Sequence, residues 1–95
     1  NNKLLPYIFG EFNSHDFLSF KKNIEKSMFS FSNLKELSFF PSGRWDILTD
    51  KGILIKLPKE HIAVSLNLSK KLINNNNFKD YKFIDLRIKN HLVAK

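Results

Sequence analysis

The chain has no cysteine, three glycines, three prolines and two arginines, Arg44 and Arg87. It also lacks any apolar run near the about 18 residues that a bilayer-spanning helix needs. Each shortage excludes something. Without cysteine there is no disulfide and no thiolate metal ligand, and the redox compartment stays undecided. Gly10, Gly43 and Gly52 stand far apart, so no glycine-rich phosphate loop exists. No signal-peptide pattern opens the chain. Its start, Asn1-Asn2, reads as the beginning of a piece cut from a longer protein.

What is present is apolar and basic. Ninety-five residues make one small domain, and a hydrophobic content of 42% with ten phenylalanines supplies its core. Sixteen Lys and Arg against nine Asp and Glu give a formal charge of +7. Such a balance can serve nucleic acid or an anionic membrane. Here the lysines are scattered, whereas phosphate readers cluster them or carry a motif. A basic nucleic-acid-binding module is therefore the alternative reading, behind an interaction domain.

The stretch from Arg44 to Pro58 organises the rest. It reads as a β-hairpin turned by Asp50-Lys51-Gly52, with Gly52 at the left-handed position. That turn sets the register. Thr49 opposes Ile53, Ile47 opposes Ile55 and Trp45 opposes Leu57 on one face. Leu48 opposes Leu54 and Asp46 opposes Lys56 on the other, the latter an opposite-charge pair. Pro58 ends the second strand because it has no N–H to offer a ladder.

Around that hairpin the elements fall in order. Leu4 to Gly10 reads as a short edge strand interrupted by Pro6, with Phe9 and Phe12 as anchors. Asn13 or Ser14 caps a helix over 14–28, with Asp16 in its first turn and Phe17, Phe20, Ile24 and Met28 as its apolar stripe. Residues 35–40 form a strand entering the hairpin through Pro41-Ser42-Gly43. Residues 60–73 fit two patterns. Ile62, Val64, Leu66 and Leu68 alternate as in a strand, but the length and the closing Lys70-Lys71 favour a helix. The asparagine run 74–77 stops it. Ile84, Leu86 and Ile88 then share one face of a strand, with Asp85 and Arg87 on the other. Lys89-Asn90-His91 makes a turn into a last strand, Leu92 to Lys95. The expected fold class is α+β, a mostly antiparallel sheet built as a meander around hairpin 44–57, with two helices packed on it. A last strand without a neighbour invites pairing with another chain, a second copy included.

Catalytic chemistry is not indicated. His15, His61 and His91 lack metal-ligand spacing, and no serine sits in a nucleophile elbow. Asp46, Asp50 and Asp85 lie on different strands, where salt bridges to Lys56 and Arg87 explain Asp46 and Asp85 better than an acid–base pair. No enzyme, no cofactor and no metal are expected.

The landmarks nonetheless form a sequence. Leu5-Pro6-x-Ile8-x-Gly10 comes first, then Arg44-Trp45-Asp46-Ile47, Gly52-Ile53, Lys56-Leu57-Pro58, and finally Ile84-Asp85-Leu86-Arg87. Their order and spacing resemble the C-terminal β domain of the bacterial cell-division family FtsQ/DivIB, over essentially the whole chain.

The resemblance implies a single domain over 1–95 whose transmembrane helix and POTRA domain lie upstream. It implies a location on the periplasmic face of the bacterial inner membrane. It implies a non-catalytic scaffold of the divisome, acting in septum formation with FtsB and FtsL as partners and no nucleic acid. In the family, a segment of FtsB adds as a β-strand to the last strands of the domain. Carried over by position, the contact residues are Arg87, Ile88, Asn90 and His91, then Leu92, Val93 and Ala94 of the docking strand, with Arg44 as the basic residue before the tryptophan strand. Two departures stand out. Ile88 replaces the tyrosine of some members, and the sequence ends before a further aromatic that some carry.

Overall fold

The computed structural model describes residues 5–75, 80–88 and 91–95. Six strands and two α-helices follow one another as β1 (Tyr7–Phe9), α1 (Ser14–Lys26), β2 (Leu34–Phe39), β3 (Trp45–Thr49), β4 (Leu54–Lys56), α2 (Ile62–Ile73), β5 (Phe83–Ile88) and β6 (His91–Ala94). A short 3-10 turn, Phe31–Asn33, leads into β2.

The strands lie side by side in chain order as one sheet. The central hairpin has the register its turn dictates: Asp46 faces Lys56, Ile47 faces Ile55 and Leu48 faces Leu54. The loop closes with Gly52 at φ +83, Thr49 Oγ1 accepting from the Ile53 N–H at 3.1 Å, and the Thr49 N–H donating to Ile53 O at 2.9 Å. Pro58 follows β4 as expected.

The mostly antiparallel meander is corrected. β2, β3 and β4 form the meander, but β1 runs parallel to β2 and β4 runs parallel to β5. Only β5–β6 restores an antiparallel pair at the far end. The sheet is therefore mixed, two β-α-β units flanking a central meander. The reason is helix length. Helices of 13 and 12 residues run for about 18–20 Å at 1.5 Å per residue, which is also the length of an ordinary strand. Each helix carries the chain back to the end of the sheet where the preceding strand began, so the next strand runs the same way.

Both helices cover one face. Ile8, Leu37, Ile47, Ile55, Ile84 and Ala94 stand in one row across all six strands on that face. Phe20 and Ile24 of α1 and Leu66 of α2 bury against the strand residues. Trp45 stacks on Phe20 with ring centroids 4.7 Å apart and planes 9° from parallel. Phe12 packs on Trp45 with ring centroids 5.7 Å apart, the anchoring role expected of it. Phe9, the other expected anchor, is half exposed.

The helix ends follow local chemistry. Asn13 and Asp16 form a reciprocal capping box, with Asn13 Oδ1 accepting from the Asp16 N–H at 2.8 Å and Asp16 Oδ2 accepting from the Asn13 N–H at 3.2 Å. The α1 stripe ends two residues sooner than expected, leaving Met28 half exposed. The helical reading of 60–73 holds from Ile62. Glu60 precedes the first turn. The competing strand alternation fails on Val64 and Leu68, which are 69% and 42% exposed while Leu66 is fully buried.

Gly10, just after β1, lies close against the backbone of Phe39. Its φ is +106, and a Cβ there would run into the carbonyl oxygen of Phe39. Glycine is the residue that meets both demands.

Candidate functional site

The sheet face away from the helices carries polar side chains organised around Asp46. In one row stand Ser38, Asp46, Lys56, Asp85 and Val93. Asp46 is buried, and both of its oxygens are occupied. Arg44 Nη1 donates to Oδ1 at 3.0 Å and Lys56 Nζ to Oδ2 at 3.1 Å. The Arg44 Nη1 also reaches the Leu57 carbonyl at 3.0 Å, and the guanidinium lies over the Phe40 ring. Arg44 thus fastens β3 to the end of β4.

Two strands along, Arg87 grips Asp85. Nη2 donates to Oδ2 at 2.6 Å, Nε donates to both carboxylate oxygens, and the Arg87 N–H donates to Oδ1 at 3.0 Å. The hydrogen bonds from Arg87 hold the Asp85 carboxyl below its ordinary range, and the same pair raises Arg87 further. The pairs anticipated for Asp46 with Lys56 and Asp85 with Arg87 are both present.

β6 ends the sheet. It pairs with β5 through Ile84–Ala94, Asp85–Val93 and Ile88–His91, with an irregularity between the last two. Phe83 and Lys95 exchange both backbone hydrogen bonds, at 3.0 and 3.1 Å. In an antiparallel ladder such pairs alternate with residues whose backbone groups turn away. The N–H and C=O of Ala94, opposite Ile84, accordingly face the outer edge. Among the described residues no strand lies beyond it.

The residues singled out from the sequence divide into two groups. Arg87, Ile88, His91, Leu92, Val93 and Ala94 gather at the β5–β6 end of the sheet. Ile88 is 67% exposed and Leu92 40% exposed. Arg44 stands apart, three strands in, with its guanidinium engaged inside the domain. Asn90 lies outside the described residues.

Sequence reading did not anticipate a groove on the helix side of this same end. It is about 570 Å³, and its walls come from Pro58 to His61, from Ser65 and Leu68 of α2, and from Leu86 to Ile88, His91 and Leu92. The apolar residues Leu86 and Ile88 of β5 and Leu68 of α2 were the available signal. What was missing was the parallel β4–β5 pairing that sets α2 beside them.

No group of three or more His, Asp or Glu side chains fit to hold a metal occurs among the described residues. Nor is any described helix long and apolar enough to cross a membrane. Several of the basic side chains are engaged within the domain. Arg44, Lys56, Arg87 and Lys21 are spent on carboxylates, and Lys70 and Lys95 lie over Phe29 and Phe83 rings.

Fold and site define a two-layer α/β domain with one sheet face covered by helices and an open last strand. A family model for the C-terminal part of the cell-division protein FtsQ/DivIB matches residues 1–87. The chain belongs to that family, and its role lies in cell division among other division proteins. No curated protein matches the chain at a significant level.

Proposed function

We propose that this domain is a non-catalytic scaffold of the bacterial division machinery that binds FtsB, and with it FtsL, by accepting an FtsB segment as a seventh strand on the outer edge of β6. In this reading an upstream transmembrane helix and POTRA domain hold it at the periplasmic face of the inner membrane. The observation that carries the reading is the outward turn of the Ala94 backbone groups on a terminal strand. Main-chain bonds there give affinity and neighbouring side chains give choice. Membership in a cell-division family supplies the class of partner.

The test is a calorimetric titration of the domain with a peptide from the periplasmic C-terminal part of FtsB of the same organism, at low and high salt. Saturable binding that survives salt is expected. Binding that vanishes with salt marks a diffuse electrostatic contact and overturns strand addition. A second arm uses Ala94→Pro. Proline removes an N–H that faces the outer edge while leaving the β5–β6 bonds in place. It is expected to abolish binding at unchanged fold. Unchanged affinity in that variant also overturns the reading.

A further inference from the structure

One end of the sheet gathers lysines from several elements. Leu34 pairs with Thr49 there, Leu54 pairs with Phe83, and Phe83 exchanges backbone bonds with Lys95. The connecting segments close on the same end. The Asp50 N–H donates to Asn33 O at 2.8 Å, and the Leu54 N–H to Lys82 O at 3.0 Å. α2 finishes there too. Its Lys70 and Ile73 wall one small hollow, of about 100 Å³, together with Asn33, Asp50 and Lys51. Lys35, Lys51, Lys70, Lys71, Lys82 and Lys95 therefore share this end. All but Lys70 are exposed. Among the described residues none of the six is held by a carboxylate, and the rings under Lys70 and Lys95 leave their charge in place.

The two ends of the sheet differ in charge. The lysine end carries Asp50 and Asp80, with Glu36 one step in along β2. At the other end Arg44 and Lys56 are held by Asp46, and Arg87 by Asp85. Lys59 there is followed directly by Glu60. Among the described residues the positive excess thus lies mainly at the lysine end.

The chemistry of this end narrows what it can meet. It has no arginine, whose rigid fork suits a single phosphate or carboxylate. Its lysines are compact charges on flexible stems, spread from β2 to β6 over about 19 Å of sheet width. Such an array fits a surface of repeated negative charges, as anionic lipids present. Exposed apolar groups border it. Tyr7, 72% exposed, is level with Glu36, so Leu5, 81% exposed and two residues earlier, is level with Leu34. Aliphatic and tyrosyl groups beside lysines suit the interface of a bilayer. The chain also enters the domain here, because β1 runs parallel to β2 from the same end.

We infer that the lysine end docks on the anionic phospholipid headgroups of the membrane, with Lys35, Lys51, Lys71, Lys82 and Lys95 over the headgroups and Leu5 and Tyr7 at the acyl boundary. The inference rests on the membrane location in the proposed function and is independent of strand addition. Docking in this way turns Arg87 and His91, at the far end of β5 and β6, away from the bilayer.

The experiment is co-sedimentation of the domain with vesicles, one set of phosphatidylcholine alone and one of equal parts phosphatidylcholine and phosphatidylglycerol. Three variants accompany the parent. Lys51→Gln with Lys82→Gln alters the lysine end, Lys22→Gln with Lys59→Gln removes the same charge elsewhere, and Leu5→Ser alters the apolar border. Circular dichroism verifies that each is folded. The parent is expected to bind the mixed vesicles and not the neutral ones. The end pair weakens that binding about twenty-five-fold, about fivefold per lysine lost. The control pair stays within about threefold at physiological salt, where distant charges are screened. Leu5→Ser weakens vesicle binding at least about threefold and leaves binding to soluble poly-glutamate unchanged.

Equal loss in the two lysine pairs refutes the assigned end, because binding then follows net charge alone. Poly-glutamate bound as tightly as the mixed vesicles, with Leu5→Ser altering neither, shows an acidic polypeptide site and refutes the lipid. Absence of binding to the mixed vesicles at low salt, or equal binding to the neutral ones, also overturns the inference. The FtsB titration is scored separately. A domain that binds vesicles but no peptide keeps the lysine end and loses strand addition, and one that binds the peptide but no vesicles does the reverse.

Discussion

Arg44 and Asp46 are joined at 3.0 Å on the open face of the sheet, and the same guanidinium nitrogen holds the carbonyl oxygen of Leu57. The carboxylate of Asp46 is 5% exposed, so its partners matter for stability as much as for surface charge. Arg44→Ala leaves a buried carboxylate with Lys56 alone and the Leu57 carbonyl without this donor. A loss of about 1–3 kcal/mol is expected, the size of a buried polar group left underpaired. Urea unfolding followed by Trp45 fluorescence measures it. A binding defect in Arg44→Ala has to be separated from this loss before Arg44 is assigned to an interface.

The stacked pair of Phe20 and Trp45 lies where α1 meets β3. Phe20 is 1% exposed and Trp45 3%. Phe20→Ala is expected to destabilise by about 3–5 kcal/mol through lost transfer energy and the cavity left behind. That approaches the whole stability of a small domain. The expected result is a largely unfolded variant by circular dichroism at 37 °C, whereas Phe20→Leu retains a cooperative transition.

The capping box of α1 yields a smaller, local effect. Asn13→Ala removes the acceptor for the Asp16 N–H and is expected to lower stability by about 1 kcal/mol. Asn13→Ser keeps a capping oxygen and should recover most of it. Chemical denaturation of the three proteins side by side provides the measurement.

The pH dependence follows from Asp85. Its folded pKa lies below the ordinary carboxylate value, chiefly through the hydrogen bonds from Arg87. A depressed pKa means the folded state favours the charged carboxylate. The contribution is complete above the unfolded value of 3.8 and disappears as pH falls through the folded value. Asp85→Asn is therefore expected to lower stability slightly at neutral pH and to flatten the loss on acidification below about pH 4. Thermal melting from pH 2 to pH 7 tests the sign. An unchanged acid slope contradicts the assignment.

Much of the chain was legible because its signals are local. The Asp50-Lys51-Gly52 turn fixed the register of β3 with β4, since side-chain alternation then leaves no freedom. The Phe17-Phe20-Ile24 stripe, the capping choice of Asn13 or Ser14 and the first-turn Asp16 placed α1, and the closing lysines placed α2. The motif residues from Leu5 to Arg87 carried the family. These depend on neighbours a few positions apart in sequence.

Tertiary structure alone decided what lies beside what. Alternation in β5 marks Ile84 and Leu86 as inward, fails at Ile88 where the ladder with β6 slips, and states neither which strand is the neighbour nor in which direction it runs, so the parallel β1–β2 and β4–β5 pairs were invisible. The same limit hid the groove, because Leu68 and Leu92 are 24 positions apart and meet through the crossover of α2. It also hid the engagement of Arg44, whose bond to the Leu57 carbonyl spans 13 positions. Sequence determined the elements, their faces and the family, since periodicity and caps are read along the chain. The mixed sheet, the outward edge of β6 and the pocket behind it arise only when helices of fixed rise return the chain across the sheet and bring distant residues into contact.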